Sequence, residues 1–274
     1  MRAPLPRTPE LTILSRDMAG RPRMMRWGCL VILAALAGVV PVAGYAIVSL
    51  STDNRPAEDI CFDREGSIGN LIPACTKLIE SGRYHGSDLS GIYYTRGATY
   101  RDIGNVTQAM ADFDEMVRIC PDAGGYEVRA ALWEQQGQHD KAIADYTRAI
   151  AAWPEWSPPY EDRGEIYLAQ GEPARAVEDF TQAIRYGNSV VIDYRYVRRG
   201  VAYAAVGHYD NALLDVEHVL EDDPTNSLAW EVRGQIEAAR DNRDAAIADF
   251  HTALYWERGR EASIAGLKKL GAVP

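Results

Sequence analysis

From residue 90 onward, apolar and small residues recur at three- and four-residue intervals, the period of a helix buried along one side. Tyr93, Gly97 and Tyr100 make one such stripe, and Ala109, Phe113 and Met116 make the next. The same two stripes return as Tyr126/Ala130/Trp133 with Ala142/Tyr146/Ala149, and as Tyr160/Gly164/Tyr167 with Ala176/Phe180/Ala183. They return again as Tyr196/Gly200/Tyr203 with Ala212/Val216/Val219, and as Trp230/Gly234/Glu237 with Ala246/Phe250/Ala253. The pattern predicts five helix pairs, an A helix and a B helix in each. A glycine inside a helix costs about 1 kcal/mol against alanine. Four of them at one phase (Gly97, Gly164, Gly200, Gly234) imply that the two helices approach closely there, small residue against ring. Gly104, Gly137, Gly171 and Gly207 are placed to end the A helices in the left-handed conformation, and Pro121, Pro154 and Pro224 to stop the B helices.

The five segments align along their length, beginning YYTRGATYRDIG, YEVRAALWEQQG, YEDRGEIYLAQG, YVRRGVAYAAVG and WEVRGQIEAARD. The central small residues are spaced 33, 34, 36 and 34 apart. This pattern resembles the tetratricopeptide repeat, a helix–turn–helix unit of about 34 residues. The resemblance implies an all-α fold, a right-handed superhelical α-solenoid, with repeats at 90–122, 123–156, 157–192, 193–226 and 227–260. Repeat five departs from the pattern, with Glu237 for an aromatic, Asn242 where glycine is usual and no closing proline. Repeat three ends without proline, which predicts a longer turn near 188–192. Residues 261–274 read as a capping helix. Residues 51–89 read as a linker and a degenerate leading repeat, in which Cys75 takes the ring position of helix B and Cys61 faces it. A Cys61–Cys75 disulfide is therefore expected if the chain is exported, closing a loop of about 14 residues worth about 3 kcal/mol. Cys120 has no evident partner and is expected to be buried.

Residues 27–50 carry no charged side chain. At about 1.5 Å per residue they are long enough for an apolar core of about 30 Å. Arg21, Arg23 and Arg26 precede this stretch, which orients residues 1–26 to the cytoplasm and the rest outside. Met24-Met25-Arg26 and the apolar run also make a complete signal peptide, with small residues suited to cleavage near Gly44 or Ala46. A retained transmembrane anchor and a cleaved signal both remain open. Either exports the repeats, and the expected location is the bacterial inner membrane with the repeats in the periplasm, or the periplasm itself.

The chain of 274 residues has a formal charge of −10, with 29 Lys+Arg against 39 Asp+Glu. Six arginines against Glu10 and Asp17 make residues 1–26 basic, so the repeats are more acidic than the whole. That argues against nucleic acid as a partner. The five histidines are scattered along the chain without metal-ligand spacing, and no nucleotide, hydrolase or metalloprotease motif occurs. No cofactor, metal or catalytic residue is expected.

Two charged rows stand out. Arginine precedes the central small residue in every repeat (Arg96, Arg129, Arg163, Arg199, Arg233), and aspartate precedes the ring of helix B, or Val216 in repeat four (Asp112, Asp145, Asp179, Asp215, Asp249). Arginine can bond a carboxylate through two parallel contacts, so the rows read as a structural ladder within or between repeats. A ligand-binding arginine row is the alternative. In tetratricopeptide repeat proteins the A helices line a concave face, which maps here onto Tyr94, Arg101, Glu127, Glu134, Glu161, Glu165, Tyr194, Val197 and Glu231. These are acidic in repeats two and three and apolar in repeat four. They suit a protein or peptide segment carrying basic and apolar side chains, not an acidic C-terminus. A solvated acidic face without a ligand is the plainer alternative. The expected function is a non-enzymatic scaffold for protein–protein interaction in the cell envelope. Self-association into an oligomer, and service as an accessory subunit of an envelope enzyme, are the alternatives.

Overall fold

The computed structural model describes residues 55–63, 68–187 and 192–274. The basic segment, the apolar stretch 27–50 and most of the turn expected near 188–192 lie outside the described residues. Among the described residues every regular element is a helix, and no helix is long and apolar enough to cross a membrane. The leading pair is α1 (Ala57–Asp63) and α2 (Ile68–Glu80). Then come α3 (Gly86–Asp102) with α4 (Val106–Ile119), α5 (Ala123–Gln135) with α6 (His139–Ala152), and α7 (Pro158–Ala169) with α8 (Pro173–Tyr186). They are followed by α9 (Ile192–Ala205) with α10 (Tyr209–Asp222), α11 (Ser227–Ala239) with α12 (Arg243–Trp256), and the single α13 (Glu261–Lys269). Each helix packs on its neighbours in sequence, and A helices also touch the next A helix, as α9 does α11 and α11 does α13. The arrangement is a stack of hairpins in which each pair hides the apolar side of the one before.

The A helices all end in the same way. The residue after each turn glycine returns its N–H to the helix, Asn105 to the Tyr100 carbonyl at 2.8 Å and His208 to Tyr203 at 2.8 Å. The glycines between hold φ from 69° to 81°. Repeat five closes by the same bond, Asn242 N–H to Glu237 O at 2.9 Å, but the residue in the left-handed region is Asp241, with φ 64°. The alignment that put Asn242 at the glycine position was thus one residue out. Aspartate is among the few non-glycine residues that visit this conformation at modest cost. The B helices stop at an extended residue before proline, Cys120, Trp153 and Asp223. The pyrrolidine ring excludes the helical conformation for the residue before it. Glu257 ends α12 in the same conformation without a proline, and its carboxylate is bonded by Ser227 and Arg260.

The core runs where the stripes meet. A Cβ on Gly97 would come within 2.8 Å of the Phe113 ring, and one on Gly234 within 2.9 Å of Phe250. The small residue is what lets the ring lie flat on the A-helix backbone. The Cys61 and Cys75 sulfurs are bonded, joining α1 to α2 inside a fully covered cluster with Ile60, Leu71, Leu78 and Ile92.

The charged rows sit at the same seam. In each of the five repeats the arginine donates from Nε and Nη2 to both oxygens of the aspartate in its own B helix, at 2.7–3.0 Å. The aspartates are almost wholly covered. The third nitrogen, Nη1, reaches back to the preceding repeat. Arg96 bonds Thr76 at 3.0 Å, Arg129 bonds Asp114 at 2.8 Å, Arg163 bonds Thr147 at 2.8 Å and Arg199 bonds Thr181 at 3.4 Å. One planar group therefore closes its own hairpin and ties it to the one before.

Candidate functional site

The A helices present one continuous face, and their charged residues do not all remain available on it. Glu161 of α7 accepts from Arg195 Nε at 2.7 Å across to α9. Glu165 accepts from Tyr194 Oη at 3.1 Å and is clasped by both Nε and Nη2 of Arg198. Two of the residues expected to line the face are instead interior. Val197 is 1% exposed and belongs to the core formed with α10 and α11. Glu231 is 6% exposed and accepts from Nε and Nη2 of Arg260 and from the Ser263 amide and hydroxyl of α13. The reason is packing against the next unit. Arg195 and Arg198 turn toward α7, which carries Val197 inward, while α13 closes over the last A helix and covers Glu231. Tyr194 stays 41% exposed. Arg101 bonds its neighbour Asp102 at 3.0 Å.

What is left is a concentrated negative charge on α5 and α7. Glu134 accepts a 3.0 Å hydrogen bond from the Tyr146 hydroxyl, which comes up from α6 between the two A helices. Asp162, one residue before the ladder arginine of repeat three, lies against the same hydroxyl. Its carboxyl is pushed up to about 7 by burial first and then by Glu127, Glu134 and Glu161, with the Tyr146 hydrogen bond pulling the other way. Burial also raises Glu127, against the opposing pull of Arg101. Burial and the Asp162 charge hold the Tyr146 hydroxyl in its protonated form.

Sequence reasoning missed Asp162, although a signal existed. The equivalent residues of the other repeats are Thr95, Val128, Arg198 and Val232. A carboxylate at this mostly apolar position, and the arginine one repeat later, are the two departures. Cys120, expected to be buried, is half-exposed at the C-terminal cap of α4, where its thiol faces the Asp122 carboxylate at 3.5 Å. Among the described residues no cluster of His, Cys, Asp and Glu could hold a metal ion.

The pH dependence of stability follows from Asp162. An ordinary aspartate titrates near 3.8, so between about 4 and about 7 the folded chain keeps a proton that the unfolded chain releases. Stability from this group is therefore full below about 4 and is lost as pH rises through 7. Asp162→Asn removes the loss. At pH 8 it is expected to melt about 4 °C higher than the parent, with no difference at pH 4. Thermal denaturation at the two pH values checks this, and an equal shift at both would contradict it.

A stack of antiparallel helix pairs, tied by repeated ion pairs and presenting one polar face, defines a helical solenoid of the protein-interaction class. Residues 90–122 and 158–186 match the family model of the tetratricopeptide repeat. These two segments are tetratricopeptide repeats, and the helix hairpins around them continue the same fold. Among solved structures it is similar to YrrB, described as a TPR protein with an unusual peptide-binding site. That likeness has 19% identity, a TM-score of 0.62 and coverage of 71% of this chain and 98% of the other. It is also similar to the C-terminal part of a TPR repeat-containing protein from Cytophaga hutchinsonii, with 18% identity, a TM-score of 0.61 and coverage of 78% and 83%. PilW, described as a widely conserved type IV pilus biogenesis factor, has 16% identity, a TM-score of 0.58 and coverage of 68% and 88%. At these identities the likeness is one of fold. A search of curated proteins finds no match.

Proposed function

We propose that this protein is a non-enzymatic scaffold of the bacterial envelope that binds a cationic, partly apolar segment of another protein along its A-helix face. The observation that carries the reading is the cluster of Glu127, Glu134 and Asp162 on α5 and α7, where burial first, and then the charges of Glu127, Glu134 and Glu161, raise Asp162 to about 7. Carboxylates held in this way gain when a cation arrives, because it relieves both their desolvation and their repulsion. Glu161 and Glu165 contribute less, since Arg195 and Arg198 already answer them. The apolar stretch 27–50 supports a place at the inner membrane, with the repeats in the periplasm. The Cys61–Cys75 bond supports an oxidising compartment. The peptide-binding site named for YrrB makes a peptide ligand a natural use of this fold.

The test is selection of a random octapeptide library on the full chain in detergent. Peptides rich in Lys and Arg with apolar neighbours are expected to enrich, and those rich in Asp and Glu to be depleted. The double variant Glu134→Gln/Asp162→Asn keeps the shapes and removes the charge. It is expected to lose the enrichment, whereas Glu178→Gln on the exposed side of α8 keeps it. No charge preference in the parent, or enrichment that survives the double variant, would overturn the reading.

A further inference from the structure

A cavity of about 370 Å³ opens between the N-terminal half of α3 and the start of α5. The end of α4 closes one side with Met116 and Cys120, and Trp156 from the turn before α7 closes the other. It exists because of two glycines. Gly91 and Gly124 occupy equivalent places in successive A helices, and the corresponding residues further along are Pro158, Tyr194 and Leu228. A Cβ on Gly91 would meet nothing within 4 Å, and one on Gly124 only Asp122 at 3.7 Å. These are not the packing glycines of the core, where a Cβ collides with a ring. They leave space.

We infer that this cavity receives one lysine or arginine side chain of a partner protein, its stem against Tyr94, Val128 and Trp156 and its cation on Glu127. The inference rests on the peptide-binding reading above and names the place where that segment is gripped. The lining decides the guest. Tyr94, Met116, Val128 and Trp156 make the walls mostly apolar, with Ser87 and Ser90 adding hydroxyls on the α3 side, so the body of the guest is apolar. Of the two carboxylates at the cavity, Asp122 is already engaged as the helix cap, accepting from the Gly125 amide at 2.8 Å and from the Cys120 thiol at 3.5 Å. Glu127 accepts no hydrogen bond among the described residues, and the nearest cation acting on it, Arg101, is bonded to Asp102. An anionic guest would be repelled. A neutral apolar guest would cover Glu127 and leave its charge without a partner, a costly burial. A long stem ending in a cation meets both needs, with aromatic faces at hand for the charge. Trp156 stacks on Trp153 at 5.7 Å, and Trp153 is 54% exposed, so an aromatic lip leads outward from the cavity toward the next residue of the segment.

The experiment uses the full chain in detergent and fluorescent acetyl-Gly-Leu-X-Leu-Gly amides with X as Arg, Lys, norleucine or Glu. Binding is read by anisotropy, and occupancy of the cavity by the rate at which iodoacetamide alkylates Cys120, located by mass mapping. Arg and Lys peptides are expected to bind about tenfold more tightly than norleucine and to slow alkylation of Cys120. Glu127→Gln is expected to reduce that preference to about twofold with an unchanged melting curve, and Trp156→Ala to weaken Arg, Lys and norleucine peptides alike. Equal binding of Arg and norleucine, an intact preference in Glu127→Gln, or unprotected Cys120 would overturn the inference. If cationic peptides bind without protecting Cys120 and the Glu134→Gln/Asp162→Asn variant still weakens them, the cavity alone is refuted. If no cationic peptide binds at all, the peptide-binding reading falls with it.

Discussion

Arg163→Leu is expected to lower the melting temperature by about 10 °C while leaving peptide binding on the A-helix face intact. Asp179 is 4% exposed and receives both parallel bonds of Arg163. Removing the arginine leaves a carboxylate in a covered seam, a change that costs about 3–5 kcal/mol. In a chain of this size each kcal/mol is worth about 2–4 °C. The contact to Thr147 is lost as well, so the damage reaches the seam with repeat two. The defect has a pH signature. Burial already holds the Asp179 carboxyl above the usual aspartate range despite Arg163, and losing the guanidinium raises it further. A raised carboxyl contributes stability that is present at low pH and lost as pH rises, so the deficit is smaller at pH 5 than at pH 8. Replacing both partners, Arg163→Leu with Asp179→Leu, is expected to recover most of the loss, because no charge is then left buried. Thermal melts of the single and double variants at the two pH values decide the matter. An unchanged melting temperature in Arg163→Leu together with abolished peptide binding would assign the arginine row to the ligand instead.

The second large effect is expected at the end of the stack. Phe250 is 2% exposed and lies between two helices that both give way to it. A Cβ on Gly234 of α11 would come within 2.9 Å of its ring, and one on Gly266 of α13 within 2.6 Å. Phe250→Ala empties that slot and is expected to cost about 3–5 kcal/mol. The loss is local first. α13 packs Leu267 against Phe250 of α12, with Ile247, Leu254 and Leu270 around them, so Phe250 is the largest buried side chain of this terminal cluster. In a stack of nearest-neighbour contacts the terminal unit frays before the interior. Hydrogen exchange in residues 261–270 should therefore rise in Phe250→Ala well before exchange in α5 or α6 does. Exchange rising evenly along the chain would mean that the stack unfolds as one body. Gly266→Val attacks the same contact by overfilling it, and is expected to be milder, about 1–3 kcal/mol.

The residues differ in how much they disclose unaided. The helix periods, the glycine against the ring and the turn glycines are legible because each follows from spacing within one hairpin. The Arg and Asp rows are legible for the same reason, since both stand at fixed phase beside the central small residue and the ring. The third contact of four of the arginines, to Thr76, Asp114, Thr147 and Thr181, is not, because it crosses to another unit. The same holds for Glu161 with Arg195, Glu165 with Arg198 and Glu231 with Arg260, each pair 29 to 34 residues apart. Val197 and Glu231 were misplaced on the open face for that reason, and Asp162 went unnoticed.

By itself, then, the order of residues determined that this chain folds as repeated helix hairpins, since burying a stripe of side chains depends only on period and phase. Which carboxylates stay unanswered, and that two glycines leave a cavity beside Glu127, was decided by the tertiary structure. Those outcomes depend on how far each hairpin rotates against the next, and a rotation of one helix face exchanges a buried ion pair for an exposed charge.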